Sequence, residues 1–489
     1  MAAPLRIVMV SAEVESLART GGLGDVVLAV STHAARLGVE VLVVTPRYGV
    51  TQVPAGCLRW EHDVPVRVGW GPDDVRSVGV LELPPAEQGR LRVCLVDDPG
   101  LFGRPGLYGD VHGEFGDNAL RFATLSRGAL EIAARVWGTE PDIIHAHDWH
   151  AALAIIYARL TMGEAWARVK SVMTIHNLAY QGALGEDALD RLSIPREAFA
   201  SGALDHFGAV NLMKGAVAYA DSVTAVSPTN ALEIQTREGG FGLDGFLREQ
   251  AHKLRGILNG IDTERFDPRA DMGLPAQYDA TTLERGRPPC KQALLAEHGL
   301  DGDPAAPLFG TVSRLTWQKG IDLFLGTVPM LVERGARVAL VGQGEAELEQ
   351  RMLAVAARFP GRVAVRITFD AALARRVYAG SDFFVVPSRY EPCGLTQMYA
   401  MRYGAVPIVT AVGGLRDTVS PVRAAQGEGT GIVAGHATPR ELAFAMEDAL
   451  TLYSDPLSLH EARVRGMARG SSWTSSAAAY VALYRDLAK

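Results

Sequence analysis

The stretch richest in possible chemistry is Pro387-Ser388-Arg389-Tyr390-Glu391-Pro392-Cys393-Gly394-Leu395-Thr396-Gln397, which follows the apolar run Phe383 to Pro387. A strand that runs into a loop, with a helix beginning near Gly394, would leave the N–H groups of Gly394, Leu395 and Thr396 as a cradle for an anion. Glu391 beside such a cradle is electrostatically awkward unless it binds something else, such as sugar hydroxyls. The plain alternative is a solvated loop carboxylate. Cys393 could be a nucleophile activated by the helix end, but no base lies close in sequence. Ser313-Arg314-Leu315-Thr316-Trp317-Gln318-Lys319-Gly320 likewise follows an apolar run. Arg314 can fork onto phosphate oxygens, and Lys319 brings a point charge near a helix start; a solvated turn is the alternative. Gly413-Gly414 supplies a further turn of close backbone approach.

The amino-terminal half offers a different mixture. Arg19-Thr20-Gly21-Gly22-Leu23-Gly24-Asp25 follows the first strand-like run. Its glycines permit close approach to a ligand, but the spacing is neither a dinucleotide fingerprint nor a Walker loop, and a tight turn is an equal reading. His145-Ala146-His147-Asp148-Trp149-His150 ends another run. Period-two alternation puts His145 and His147 on one face, so a metal site, structural hydrogen bonding and a polar cleft wall are all open. His176-Asn177-Leu178-Ala179-Tyr180-Gln181-Gly182 combines an imidazole, two amides and a phenol, neutral groups that suit a ligand with many hydroxyls. A loop fixed by its own side chains would read the same way.

Placing these residues requires parallel sheets. Short β-branched runs alternate with amphipathic ones, the pattern of βαβ units. Strands are expected at Leu5 to Ser11, Val39 to Thr45, Asp142 to His147, Ser171 to His176 and Ser222 to Ser227. Helices are expected at 25–37, 151–160 and 204–220. After an irregular passage from Arg237 to Pro289 the alternation restarts, with strands at 308–313, 338–341, 363–368, 383–387 and 406–410. The expected architecture is α/β, with two doubly wound Rossmann-like domains at 1–253 and 254–470. A last helix, 471–489, would return to the first domain. In open parallel sheets ligands bind beyond the carboxyl ends of the strands, so a cleft between two such domains is where a substrate is expected.

At 489 residues the chain is too long for one ordinary core. Its 48 basic and 55 acidic residues leave a net charge of −7, a poor match for nucleic acid or an anionic membrane. The four cysteines form no CxxC pair, so neither a disulfide framework nor a zinc ribbon is expected. No apolar run reaches the length of a membrane span or a signal-peptide core, and a soluble cytoplasmic protein is expected. Only six of the basic residues are lysines, among them Lys214 and Lys319.

Taken together the motifs resemble the bacterial glycogen synthases and plant starch synthases, glycosyltransferase family 5. The matching segments are Thr20 to Asp25, His145 to His150, His176 to Gly182, Leu258-Asn259-Gly260-Ile261-Asp262, Ser313 to Gly320 and Pro387 to Gln397. They run in family order over essentially the whole chain. The resemblance implies a GT-B fold and a retaining hexosyltransferase. That enzyme would move glucose from a nucleotide-glucose, ADP-glucose before UDP-glucose, to the non-reducing 4-OH of an α-1,4-glucan, with no cofactor and no metal. It also implies roles. Arg314 and Lys319 would neutralise the leaving diphosphate, Glu391 would hold glucose hydroxyls, and His176 would lie under the anomeric centre. Arg19, Gly22, Asn259, Cys393, Gly394, Leu395 and Thr396 would contact the donor. Asp25, Asp148, Asn177, Tyr180 and Gln181 would contact sugar or acceptor.

Two departures stand out. Arg19 occupies a place where the family usually has lysine. Tyr399 stands where related retaining enzymes carry a second glutamate, which family 5 generally lacks. A nucleotide-sugar epimerase or hydrolase would explain a phosphate cleft but not the whole motif set. A non-catalytic glucan-binding protein would tolerate loss of Glu391, Lys319 or Arg314, and all three are present. A dinucleotide-dependent oxidoreductase lacks its fingerprint here.

Overall fold

The structure, a computed structural model, describes residues 4–110 and 112–489. Residues 1–3 and 111 of the expected amino-terminal domain lie outside the described residues. The chain divides into two compact units, one running to Val226 with Ala231–Ile257 and Trp473–Lys489, the other comprising Ser227–Asn230 and Leu258–Ser472. The first unit thus extends to Ile257, where the sequence suggested a break after Lys253.

The first unit is built on a ten-stranded sheet in the order Leu254–Gly256, Ser222–Ala225, Lys170–Ile175, Ile143–His147, Arg6–Val10, Glu40–Pro46, Leu91–Asp97, Val75–Glu82 and Leu58–Arg59, with Val64–Arg67 also paired to Val75–Glu82. The strands from Leu254–Gly256 to Leu91–Asp97 are parallel, and the last three pair antiparallel. Period-two alternation divides its residues between two cores. Val8, Val10, Leu42 and Val44 pack with Phe122 and Ile155 on one face. Ile7, Met9, Val41 and Val43 pack with Val27, Val30, Trp473 and Tyr480 on the other. Burial on both faces is why these strands are apolar throughout. The helix Trp473–Leu487 covers the second face alongside Leu23–Arg36, returning to the first unit as expected.

The second unit has six parallel strands in the order Val363–Arg366, Arg337–Gly344, Leu308–Leu315, Phe383–Val386, Val406–Thr410 and Ile432–Ala434. In each sheet the chain starts near the middle and builds outwards both ways, which creates a switch point. It falls between Arg6–Val10 and Ile143–His147 in the first sheet, and between Leu308–Leu315 and Phe383–Val386 in the second. The motif loops 11–22, 148–151, 316–320 and 387–395 all follow these four strands.

Two expectations need correction. Residues 204–220 are not one helix: the antiparallel strands Asp205–His206 and Ala209–Asn211 precede a shorter helix, Leu212–Tyr219. Phe207 and Gly208 both adopt positive φ, 53° and 82°, and that turn ends any helix. The passage 237–289 is not wholly irregular. It holds the helix Asp244–Glu249, the strand Leu254–Gly256 and the start of the helix Leu283–His298. Pro288 and Pro289 lie inside that last helix and read in sequence as a break.

Candidate active site

In the first unit the glycine-rich loop is held from beneath by a residue that motif reading passed over. Glu13, 3% exposed, accepts hydrogen bonds from Thr20 N and Oγ1 (both 2.8 Å), Gly21 N (3.3 Å) and Tyr108 Oη (2.6 Å). A carboxylate directly after a buried strand was a usable signal. Tyr108, 95 residues away, gave none. Arg19 pairs with Glu15 (2.6 Å) and Asp25 (3.1 Å), so two expected ligand contacts engage each other here. Gly22 sits at the amino cap of Leu23–Arg36, two residues earlier than the helix start expected at Asp25. Gly24 is required by space, because a Cβ there would lie 2.9 Å from Glu15 N.

The strand-end histidines form a buried row. His145 joins Tyr484 Oη (2.7 Å) through Nδ1 and Thr174 Oγ1 (2.6 Å) through Nε2, while His147 Nδ1 meets His176 Nε2 at 3.0 Å. Structural hydrogen bonding thus occupies three of the four ring nitrogens of His145 and His147, and His147 Nε2 is buried without a partner among the described residues. Among the described residues no group of three or more His, Cys, Asp and Glu is arranged to hold a metal ion. Burial pushes His145, His150 and His176 down to about 3 and His147 well below its ordinary value, so all four rings are neutral near pH 7. Asp148, 8% exposed and held at φ +57°, accepts from His176 N (2.7 Å) and Asn177 N (3.3 Å). Burial raises it to about 7 against those two donors. Asn177 Oδ1 accepts from Ala179 N (3.1 Å), and Tyr180 is 55% exposed. Gln181 is engaged by the protein itself: its amide nitrogen donates to Leu178 O and Phe241 O, and its oxygen accepts from Asn211.

In the second unit two loops lock together. Lys319 Nζ lies 2.5 Å from Glu391 Oε2, which also accepts from Ser388 Oγ at 2.9 Å. Gly320 (φ +63°) faces Pro387 O, which an added Cβ would approach to 2.0 Å, so only glycine lets the lysine loop meet the glutamate loop. The close approach expected at Gly413-Gly414 is to this same glutamate loop, with Gly414 N donating to Glu391 O at 3.1 Å. Arg314, next to last in its strand, is exposed, and its guanidinium makes no hydrogen bond or ion pair among the described residues. The helix expected near Gly394 begins at Thr396 and runs to Arg402, because Gly394 is left-handed (φ +73°) and Leu395 caps it. Gln397 Nε2 pins that turn, donating to Gly394 O (2.9 Å) and Thr418 Oγ1 (3.0 Å). Cys393 is buried and its thiol is pushed up to about 12, which removes it as a thiolate nucleophile. The Asn259 backbone hydrogen-bonds that thiol, while Asn259 Oδ1 is buried without a partner among the described residues.

Residues 6–249 match the model of the starch synthase catalytic domain, and residues 306–451 that of glycosyl transferases group 1. The chain is 46% identical to a glycogen synthase of Myxococcus xanthus over 486 residues, covering 99% of each chain. It is 44% identical to a glycogen synthase of Anaeromyxobacter dehalogenans, again over 99% of each. The chain belongs to the glycogen and starch synthase family. In three dimensions it is similar to the catalytic domain of Starch Synthase IV from Arabidopsis thaliana bound to ADP and acarbose. The TM-score is 0.90 at 31% identity, covering 99% of this chain and 100% of that one. Like that family it is an enzyme of the glycosyltransferase class, built from two α/β halves with parallel sheets at their centres. Among the described residues no helix is long and apolar enough to cross a membrane.

Proposed function

We propose that this chain is a glycogen synthase that transfers glucose, with retention, from ADP-glucose to the non-reducing 4-OH end of an α-1,4-glucan in the cytoplasm. The observation that carries the reading is the locked pair Lys319–Glu391, with the exposed Arg314 on the strand that leads into the lysine loop, at the second unit's switch point. The similarity to a starch synthase bound to ADP and acarbose supports a nucleotide donor and a glucan acceptor.

On this reading the carboxy-terminal half takes the donor and the amino-terminal half the acceptor. Arg314 and Lys319 stabilise the charge that develops on the diphosphate as the glycosidic bond breaks, an electrostatic task for preorganised cations. Glu391, whose Oε2 already meets Lys319 and Ser388, takes glucose hydroxyls, with the amides from Cys393 to Thr396 and Asn259 around the sugar and phosphate. Arg19 and Gly22 approach the phosphates. His176, neutral at working pH, steadies the oxocarbenium-like centre without placing a cation beside it. Asp25, Asp148, Asn177 and Tyr180 serve sugar or acceptor, and Gln181 acts there through the loop it fastens.

The test is incubation of the protein with glycogen and either ADP-glucose or UDP-glucose. Lengthened glucan, formed faster from ADP-glucose, is expected. Donor consumption with no lengthening would point to a hydrolase or epimerase, and faster elongation from UDP-glucose would overturn the donor assignment.

A further inference from the structure

Two of the residues with positive φ outside glycine are phenylalanines that precede a left-handed glycine. They are Phe207 (φ 53°) with Gly208 (82°), and Phe241 (47°) with Gly242 (87°). A bulky side chain in this region is strained. At a two-residue hairpin tip Asn-Gly is the relaxed choice. Burial offers no compensation, since Phe207 is 92% exposed and Phe241 39%. Neither packing nor backbone preference explains a phenylalanine at the hairpin tip.

The two pairs belong to one fastened rim. The Phe207 ring lies 4.6 Å from the His206 ring, and a methyl on Gly242 would stand 3.3 Å from His206 Nε2. Asp205 caps the turn by accepting from Gly208 N (2.9 Å), and its carbonyl accepts from Lys214 Nζ, which gives that lysine a structural place. Phe241 O accepts from Gln181 Nε2 (3.0 Å), and Gln181 in turn accepts from Asn211 Nδ2 (2.7 Å), tying both loops to the exposed Tyr180. Burial and the nearby Lys214 hold His206 below its usual value, so its ring is neutral near pH 7.

We propose that Phe207, Phe241 and Tyr180 form a stacking platform for glucose units of the acceptor that lie away from its reacting end. The inference rests on the reading of the acceptor as an α-1,4-glucan. A glucose ring presents an apolar C–H face that an exposed aromatic ring covers well, and the platform continues directly from the Tyr180–Gln181 loop. Rings held by a rigid turn lose little freedom on binding.

The decisive variant is Phe207→Asn in the full chain, because it relieves the turn while removing the ring. Its melting temperature is expected to stay level or rise. In a native gel containing glycogen, without donor, its binding should be about fivefold weaker, about 1 kcal/mol at 1.4 kcal/mol per tenfold. Phe207→Trp should bind as the wild type does. With donor present, KM for glycogen should rise, while kcat and KM for a short maltooligosaccharide stay unchanged. Equal retardation of Phe207→Asn and wild type would overturn the platform, as would an equal loss on short and long acceptors. A wild-type dimer that Phe207→Asn dissociates, with glycogen retardation unchanged, would make the rim a self-association surface and likewise overturn it. A wild type that lengthens no glucan defeats the activity reading instead, and the gel still decides the platform.

Discussion

In the first unit the strand-end histidines and Asp148 are buried deeply enough that each is driven towards its neutral form. In the second unit Lys319 and Glu391 pair directly with each other, and Arg314 stands exposed to water. On the proposed reading the buried neutral groups of the first rim suit a neutral polyol, while Lys319 and Arg314 of the second suit anionic phosphate. Both lie at the carboxyl ends of parallel strands around a switch point. Topology sets the location, and local burial sets the chemistry.

The largest effect that would break this contrast is at Glu391. Glu391→Ala should lower elongation by about a thousandfold, the scale of losing a preorganised electrostatic partner, with little change in far-UV circular dichroism. Near-normal turnover would remove the carboxylate from the chemistry. Lys319→Ala should add a stability loss of up to about 3 kcal/mol, because it strands a buried carboxylate, and Lys319→Met/Glu391→Gln should recover much of that stability without activity. Chemical denaturation of the set reads the difference.

Arg314→Ala should cost about a hundredfold in kcat/KM for the donor with an unchanged melting temperature, since its guanidinium holds nothing else among the described residues. A lowered melting temperature would show that it is structural.

The first unit predicts a pH effect. His145, His150 and His176 titrate near 3 when folded and near 6.5 when unfolded. Their contribution is present above about 6.5 and is lost as pH falls towards 3, by up to about 1.4 kcal/mol per histidine per pH unit. Asp148 acts oppositely: its folded value of about 7 lies above the unfolded one, so its contribution is full below about 4 and lost as pH rises through 7. Urea unfolding at pH 7.5 and 5.5 should show net destabilisation on acidification, smaller in His150→Phe. An unchanged difference in that variant would mean that His150 is charged in the fold.

The smallest expected change is at the brace of the glycine-rich loop. Tyr108→Phe removes one hydrogen bond to Glu13 and should raise the donor KM severalfold, leaving the acceptor KM in place. Equal shifts in both would make the brace a general support.

Much of the fold was readable because periodicity is local. The run Ile7 to Val10 and its counterparts announced buried parallel strands, and Gly413-Gly414 marked a turn of close backbone approach. Motif residues declared themselves by type and spacing, and the helix at 473–487 was visible as a helix. Local pattern misled at Phe207, where a stretch read as one helix hid a hairpin tip, and at Pro288-Pro289, which lie inside a helix despite being breakers. Sequence by itself determined which groups could do chemistry and that two parallel sheets would present them. Only the tertiary structure decided that Glu13 meets Tyr108, that Lys319 meets Glu391, and that Gln181 binds its own loops. It also decided that the histidines are neutral. Charge state depends on solvent exclusion by residues far away in sequence, such as Tyr484 over His145, and no local spacing encodes that.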